Sequence, residues 1–221
     1  WNAIIGFSEI LESGMFRPRG SDRYQEYVSD INASGTFLLG VINDILDMSK
    51  IEAGKLSLEA APFSPSDLAG RVEALYRLKA EAKGLDFSVL TDCGSRDDRI
   101  GDQNRILQIL HNLIGNALDA VPQGTLPRIV IDVSSQGEDV LIAVEDNGPG
   151  IPPEVLPRIF DPFFTTKEVG RGLGLGLSIS LGIVQRHEGQ LRIENNTDGG
   201  VTATMILPQA QPVSPDAQVE Q

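Results

Sequence analysis

The sequence predicts an α+β protein in which a helical hairpin precedes a sandwich of one mixed β-sheet with helices on one face. Apolar residues recur at helical spacing through residues 2–53, whereas helical and strand-like patterns interchange over residues 63–208. The strand-like segments of the second part lie next to each other in pairs, which favours a mixed sheet over a chain of βαβ units. We therefore expect two domains, 1–54 and 63–208, joined by a linker at 55–62.

The predicted hairpin consists of a short helix and a long helix. Residues 2–11 carry the end of the first helix, and Pro18 and Gly20 predict a turn. From Asp22 to about Ala53, one apolar stripe repeats about every 3.5 residues, as in a helical bundle. The stripe consists of Tyr24, Val28, Ile31, Leu38, Ile42, Ile45 and Leu46. A single chain cannot bury such a stripe, so we expect a homodimer with a four-helix bundle; the alternative is a monomeric hairpin that packs on the second domain.

The second domain is predicted to interleave three helices with five strands. The helices are expected at 67–82, 102–121 and 173–187, and the strands at 86–90, 129–133, 140–145, 190–194 and 201–207. The tail at 209–221 is polar, rich in proline and without periodicity, so we expect it to be disordered.

The composition excludes several classes of function. With 31 acidic and 18 basic residues, the net charge is −13, which disfavours nucleic-acid partners and direct contact with anionic membranes. A single cysteine, Cys93, rules out an internal disulfide and a cysteine-rich metal site, which fits a reducing compartment. We expect a cytoplasmic fragment, because the chain opens inside a helical pattern and has no membrane-length apolar run; a longer parent protein could carry a membrane anchor.

Two polar patterns lie on or directly after predicted elements of the second domain. Asn112 and Asn116 lie four residues apart on a helix, so their amides share one face, and amide oxygens suit Mg²⁺. Such a pair is also typical of an ordinary solvent-facing surface. Asp146 ends a strand and is followed by Gly148 and Gly150, which lets a flat ligand approach a carboxylate that can accept a hydrogen bond from an adenine amino group. The alternative is a simple turn.

Two further patterns lie in the last third of the chain. FDPFFTTK at 160–167 has three phenylalanines among prolines, which indicates either a mobile lid with apolar anchors or a loop that plugs the core. GRGLGLGL at 170–177 opens a helix, and its backbone N–H groups could bind phosphates. No Gly-Lys-Ser/Thr follows, so it is not a P-loop. The regular leucines argue against a flexible linker.

In this order, the four patterns resemble the ATP-binding domain shared by sensor histidine kinases, DNA gyrase, the ninety-kilodalton heat-shock chaperones and mismatch-repair ATPases, over about 63–208. FDPFFTTK and the His-Glu-Gly at 187–189 resemble the histidine kinases in particular. WNAIIGFSEIL at 1–11 is similar to the run after their phosphoacceptor box, His-Glu-x-x-Thr-Pro-Leu-Asn-Ala-Ile, with Trp1 in the Leu position. Residues 28–56 resemble the second helix of the same dimerisation domain.

The resemblance implies a set of site residues. Asn116 would ligate Mg²⁺, and with it Lys167 and Arg171 would act in catalysis by neutralising charge at the transferred phosphoryl group. Asp146 would recognise adenine. Asp119 stands where many family members have a lysine that reaches phosphate. The other ATP-binding residues implied are Asn112, Gly148, Gly150, Ile151, Thr165, Thr166, Gly172, Leu173, Gly174, Leu175, Gly176, Leu177 and Thr202.

The family's phosphoacceptor histidine would precede Trp1 by about six residues, roughly 9 Å along a helix. We expect His111 and His187, the two histidines present, to be structural. The resemblance thus implies the catalytic core of a two-component sensor histidine kinase, which passes the γ-phosphoryl group of ATP to that histidine and then to a response-regulator aspartate. One alternative is a degenerate kinase that acts as a nucleotide-binding switch or scaffold. A gyrase- or chaperone-type ATPase is another, although the hairpin has no counterpart there.

Overall fold

The structure is a computed structural model that describes residues 6, 9, 22–93, 99–121, 127–167 and 172–208. The chain divides into two compact units, Trp1–Lys50 and Ile51–Gln221. Gly6 and Glu9 are helical, but the rest of the predicted first helix and turn, and the predicted disordered tail, lie outside the described residues. The predicted domain limits and linker therefore remain a prediction.

Helix α1 spans Asp22–Glu52 and contains 31 residues, close to the predicted length of the second hairpin helix. Val28 of the predicted stripe is buried. Five large apolar side chains of α1 are 45–55% exposed: Tyr27, Ile31, Phe37, Ile45 and Leu46. One chain leaves these side chains in water, so part of the predicted stripe has no cover among the described residues. Within the described part of the chain, no helix is long and apolar enough to cross a membrane.

A five-stranded mixed sheet forms the centre of the second unit. In order across the sheet, its strands are β2 (Asp86–Asp92), β4 (Arg128–Gln136), β5 (Asp139–Asp146), β7 (Val201–Leu207) and β6 (Gln190–Asn195). The pair β2 and β4 is parallel, whereas every other pair is antiparallel. Buried and half-buried residues alternate along β5, so one face of the sheet is covered. The sheet and its helices confirm the predicted fold class for this unit.

Three helices pack on the sheet: α2 (Pro65–Ala82), α3 (Gln103–Ala120) and α4 (Gly176–Arg186). A single-turn 3₁₀ helix also spans Leu156–Arg158. The core consists of fully buried side chains from α3, α4 and the central strands, among them Ile109, Ile114, Ile129, Ile142, Ile179 and Met205. This burial explains why α3 is strongly amphipathic and presents its polar residues on the opposite face.

Two features differ from the sequence prediction. A small antiparallel sheet pairs β1 (Ala61–Phe63) with β3 (Arg99–Gly101), so the predicted linker at 55–62 runs into a strand. Helix α4 begins at Gly176 rather than at Leu173, because Gly174 has φ of +70° and interrupts any helix before it. Three-residue strands carry too little periodicity to be recognised without their partner.

A hydrogen-bonded cap fixes the start of α3 and hence the positions of its asparagines. The Asp102 carboxylate accepts hydrogen bonds from the backbone N–H groups of Asn104 and Arg105, both at 3.1 Å. The backbone N–H of Asp102 donates to Nε2 of His187 at 3.1 Å, and Nδ1 of His187 lies 2.9 Å from the carbonyl oxygen of Ile183. His187 thereby ties the start of α3 to the end of α4.

Candidate functional site

Asn112 joins α3 to the beginning of α4. Its Nδ2 donates to the carbonyl oxygen of Gly176 at 3.1 Å and to Oγ of Ser180 at 3.2 Å. A Cβ on Gly176 would lie 3.3 Å from Cγ of Asn112, so a side chain there would crowd the amide. Because Leu175, which precedes the helix, has no polar side chain to act as a cap, the first N–H groups of α4 remain suited to an anionic ligand.

Asn116 and Asp119 meet Lys167 at the last turn of α3. The Lys167 ammonium donates to Oδ1 of Asn116 at 2.9 Å and to Oδ2 of Asp119 at 2.7 Å. Because the Lys167 ammonium is a cation, its hydrogen bond to Asn116 shows that Oδ1 of Asn116 is oriented toward a bound positive charge. The site thus brings together three residues that the sequence analysis assigned to metal and phosphate.

Asp146 is the last residue of β5 and is buried, with 5% of its surface exposed to solvent. Its Oδ1 accepts a hydrogen bond from the backbone N–H of Gly148 at 2.8 Å, and the backbone of Val201 donates a second. Burial raises the pKa of the Asp146 carboxyl; the two backbone hydrogen bonds oppose that shift, and the charge of Glu145 adds to it. A buried carboxylate held by backbone donors is oriented to accept a hydrogen bond from a ligand.

Glycines leave little free volume around Asp146. A Cβ on Gly148 would lie 2.9 Å from Oδ1 of Asp146 and 3.2 Å from the carbonyl oxygen of Ala120. Gly200 has φ of +91°, and a Cβ there would lie only 1.9 Å from the carbonyl oxygen of Asp146. Gly200 is not among the predicted site residues, although the Gly-Gly pair at 199–200 before a strand is a sequence signal of a close backbone approach.

The loop after Asp146 is attached to the end of β6. Gly150 has φ of +80°, and the backbone N–H and carbonyl groups of Ile151 both hydrogen-bond to the Asn195 side chain at 2.7 Å. Nothing in the local sequence around Asn195 indicated this contact. Thr202, one of the ATP-binding residues that the resemblance implies, pairs across the sheet with Glu145, and its hydroxyl donates to Oδ1 of Asn196 at 2.7 Å.

The segment 160–167, named the lid segment below, is folded as turns rather than as a helix. Phe163 is 64% exposed with φ of +64°, and the Arg158 guanidinium lies 4.4 Å from the ring centroid of Phe164. A loop that plugs the core would bury its phenylalanines, whereas Phe163 is exposed and Phe160 is half-buried. The Thr165 hydroxyl oxygen accepts from the backbone N–H of Lys167 at 3.1 Å.

The glycine-rich segment lies against the lid segment. A Cβ on Gly174 would lie 2.4 Å from the carbonyl oxygen of Phe164, so only glycine permits this approach. A Cβ on Gly172 would lie 3.7 Å from Cδ of Lys167. Leu175 is buried and Leu173 and Leu177 are half-buried, as expected of a folded segment and not of a linker. Arg171 lies outside the described residues, and Thr166 is exposed.

These residues fit an adenine nucleotide with a divalent metal. The Lys167 ammonium on Asn116 stands in for a cation, and the buried Asp146 carboxylate, held by the Gly148 N–H, is suited to accept a hydrogen bond from an adenine amino group. Among the described residues, no three His, Cys, Asp or Glu side chains form a metal cluster. A metal on Asn116 would consequently take most of its ligands from phosphate and water, as Mg²⁺ does.

Comparison with known proteins identifies the class and then the family. Residues 101–211 match the family described as "Histidine kinase-, DNA gyrase B-, and HSP90-like ATPase", which makes the second unit an ATP-binding domain of that class. Residues 2–54 match the "His Kinase A (phospho-acceptor) domain". The chain therefore belongs to the histidine kinases, as the resemblance predicted.

Individual relatives agree with the family. The chain is 37% identical over 212 residues to the histidine protein kinase DivJ of Caulobacter vibrioides. This alignment covers 94% of this chain and 34% of DivJ. It thus spans about a third of the length of that relative. The full-length ShkA structure in complex with AMPPNP has a TM-score of 0.77 at 26% identity, over 97% of this chain and 44% of ShkA. The complex of histidine kinase ThkA with response regulator protein TrrA has a TM-score of 0.66 at 28% identity, over 94% of this chain and 57% of ThkA.

Proposed function

We propose that this chain is the catalytic core of a two-component sensor histidine kinase that uses Mg²⁺ and ATP. The γ-phosphoryl group would pass to the phosphoacceptor histidine, which the family pattern puts before Trp1, and then to an aspartate of a response regulator. The observation that carries the proposal is the buried Asp146 carboxylate, oriented by the backbone N–H groups of Gly148 and Val201.

The described residues take distinct roles in this proposal. Asp146 accepts a hydrogen bond from the adenine amino group, and the start of α4 binds phosphate through backbone N–H groups. Asn116 supplies one oxygen to Mg²⁺, which neutralises phosphate charge when bound. Lys167 stabilises charge on the transferred phosphoryl group as a histidine nitrogen attacks phosphorus and the bond to ADP breaks. Arg171, which lies outside the described residues, is proposed for the same role because the resemblance implies it.

Nucleotide binding is tested first by calorimetric titration with ATP and Mg²⁺. Asp146→Asn keeps the shape of the side chain but replaces the carboxylate with a group that can present a donor to the adenine amino group. We expect ATP affinity to fall about tenfold or more. Asp139→Asn, at the opposite end of β5, is the matched control and should bind as the wild type does. Equal affinity in the wild type and Asp146→Asn would remove the adenine assignment.

Phosphoryl transfer requires a longer chain that includes the residues before Trp1. Incubation with ATP labelled at the γ-phosphate should yield a phosphoprotein that is labile to acid and stable to base, as a phosphohistidine is. Asn116→Ala should abolish labelling. Binding of ATP without labelling would instead support the degenerate-kinase alternative, in which the domain serves as a switch or scaffold.

Two partners accompany the proposed activity. The exposed apolar side chains of α1 support a homodimer through a four-helix bundle, because each copy would cover the stripe of the other. The response regulator bound to ThkA supports a receiver domain as the second partner. The match at 2–54 favours this over a gyrase-type ATPase. Use of ATP and the single cysteine fit a cytoplasmic reaction.

A further inference from the structure

We propose that Asp119 is a positioning residue that holds Lys167, the cation of the lid segment, at the phosphate end of the ATP site. This inference rests on the proposed function and adds to it the route by which a positive charge reaches the phosphates. The positive charge belongs to the lid segment and not to α3, so it arrives only when that segment lies against the end of the helix.

The geometry of three side chains carries the inference. Asp119 follows Asn116 by three residues, so their oxygens lie on one face of the last turn of α3. The Lys167 ammonium bridges them, 2.7 Å from Oδ2 of Asp119 and 2.9 Å from Oδ1 of Asn116. Forty-eight residues separate Asp119 from Lys167 in the chain, so this is a tertiary contact that anchors the lid segment.

The electrostatics make this anchor exchangeable. The Asp119 and Lys167 side chains are 53% and 33% exposed, and ion pairs in such positions hold weakly and are screened by salt. A triphosphate carries more negative charge than Asp119 and can draw the ammonium from it. A divalent metal on Asn116 likewise requires that the ammonium leave Oδ1, because two cations cannot share one amide oxygen at bonding distance.

The same charges predict an unusual pattern of mutational coupling. Without Lys167, the Asp119 carboxylate remains uncompensated next to the phosphates and repels them. Neutralising Asp119 in that background removes the repulsion. Lys167→Gln alone should therefore bind MgATP more weakly than the double variant Asp119→Asn/Lys167→Gln, whereas a merely structural pair would give a double variant at least as impaired as either single variant.

The decisive measurement combines titration with MgATP and hydrogen exchange. We expect Lys167→Gln to lose about tenfold in affinity and Asp119→Asn to lose less, since it keeps the cation. The double variant should recover part of the loss of Lys167→Gln, and this recovery should shrink as salt is raised. The control variant Asp92→Asn also removes one carboxylate, at the end of β2 remote from Asp146. It should bind MgATP as tightly as the wild type does.

Exchange in the nucleotide-free protein tests the anchor without any ligand. Peptides that cover 160–167 should exchange faster in Asp119→Asn and in Lys167→Gln than in the wild type or Asp92→Asn. Unchanged exchange, or a double variant weaker than Lys167→Gln, would overturn the positioning role even if ATP binds. Failure of the wild type to bind MgATP would overturn the proposed function, and with it the role assigned here at the phosphate end.

Discussion

Asn195 hydrogen-bonds to Ile151 as a neighbouring strand would: its Oδ1 accepts from the Ile151 N–H and its Nδ2 donates to the Ile151 carbonyl oxygen, both at 2.7 Å. The amide side chain thus fixes the loop that begins at Asp146. A Cβ on Gly150 would lie 3.0 Å from Oδ1 of Asn195, so a side chain at position 150 would crowd this amide.

Replacing Asn195 should loosen this loop and weaken ATP binding. Asn195→Ala removes both hydrogen bonds, and we expect a loss of about 1–2 kcal/mol in the free energy of unfolding together with several-fold weaker ATP binding. Thermal denaturation and calorimetric titration measure the two effects. Thr197→Ala, in the exposed turn two residues on, is the control and should change neither. Wild-type affinity in Asn195→Ala would show that the loop is held by other contacts.

The raised pKa of Asp146 predicts how ATP binding depends on pH. Adenine donates its hydrogen bond to the ionised carboxylate, so affinity should fall as pH is lowered through a pKa above the ordinary aspartate value. Without ATP, the folded protein binds a proton on Asp146 more tightly than the unfolded chain does. The contribution of Asp146 to the free energy of unfolding therefore rises as pH falls through this pKa. Titrations at successively lower pH should show the decline in the wild type. A decline of equal size in Asp146→Asn would assign it to another group.

The pair Tyr76 and His111 predicts a pH dependence of opposite sign for stability. The Tyr76 hydroxyl lies 2.7 Å from Nδ1 of His111, and burial, aided by the Lys79 ammonium, lowers the pKa of His111. The unfolded chain takes up the proton near its ordinary pKa of about 6.5, whereas the folded imidazole stays neutral. Stability should therefore fall as pH drops below about 6.5 and level off below the lowered folded pKa.

His111→Gln provides the comparison for this dependence. A glutamine oxygen can accept from Tyr76 but does not titrate, so melting temperatures of the variant should vary less between pH 7.5 and pH 5.5. Above pH 8 the wild-type imidazole is neutral in both states and makes no pH-dependent contribution. An equally steep decline in both proteins would show that His111 is not the group responsible.

Gly200 should not tolerate a side chain. Gly200→Ala would bring a Cβ within 1.9 Å of the Asp146 carbonyl oxygen at a φ of +91°, so we expect a loss of about 2 kcal/mol or more in the free energy of unfolding and weakened ATP binding. Chemical denaturation measures the loss. Gly70→Ala, within α2 and with no atom within 4 Å of the new Cβ, is the control and should stabilise by about 0.5–1 kcal/mol.

Local patterns were sufficient for most of the second unit. The alternation along β5 and the helical periodicity of α3 are set by neighbouring residues, so their limits were predicted to within one or two residues. The order of Asn112, Asp146 and the glycine-rich segment indicated an ATP-binding domain through its resemblance to that of the sensor histidine kinases and related ATPases. The strand β1 was missed, because its hydrogen bonds depend on a partner about 40 residues away.

The sequence by itself determined the class of fold, because periodicity is a local property of the chain, and the resemblance of its motifs to those of the histidine kinases indicated the family and the residues expected at the ATP site. Only the tertiary structure decided that Asn195 holds Ile151 and that Asp119 holds Lys167. Each of these contacts joins residues more than 40 positions apart, and their side chains meet only after the sheet and the helices have packed. The chemistry of a residue can be read from its identity, but its partner depends on the fold.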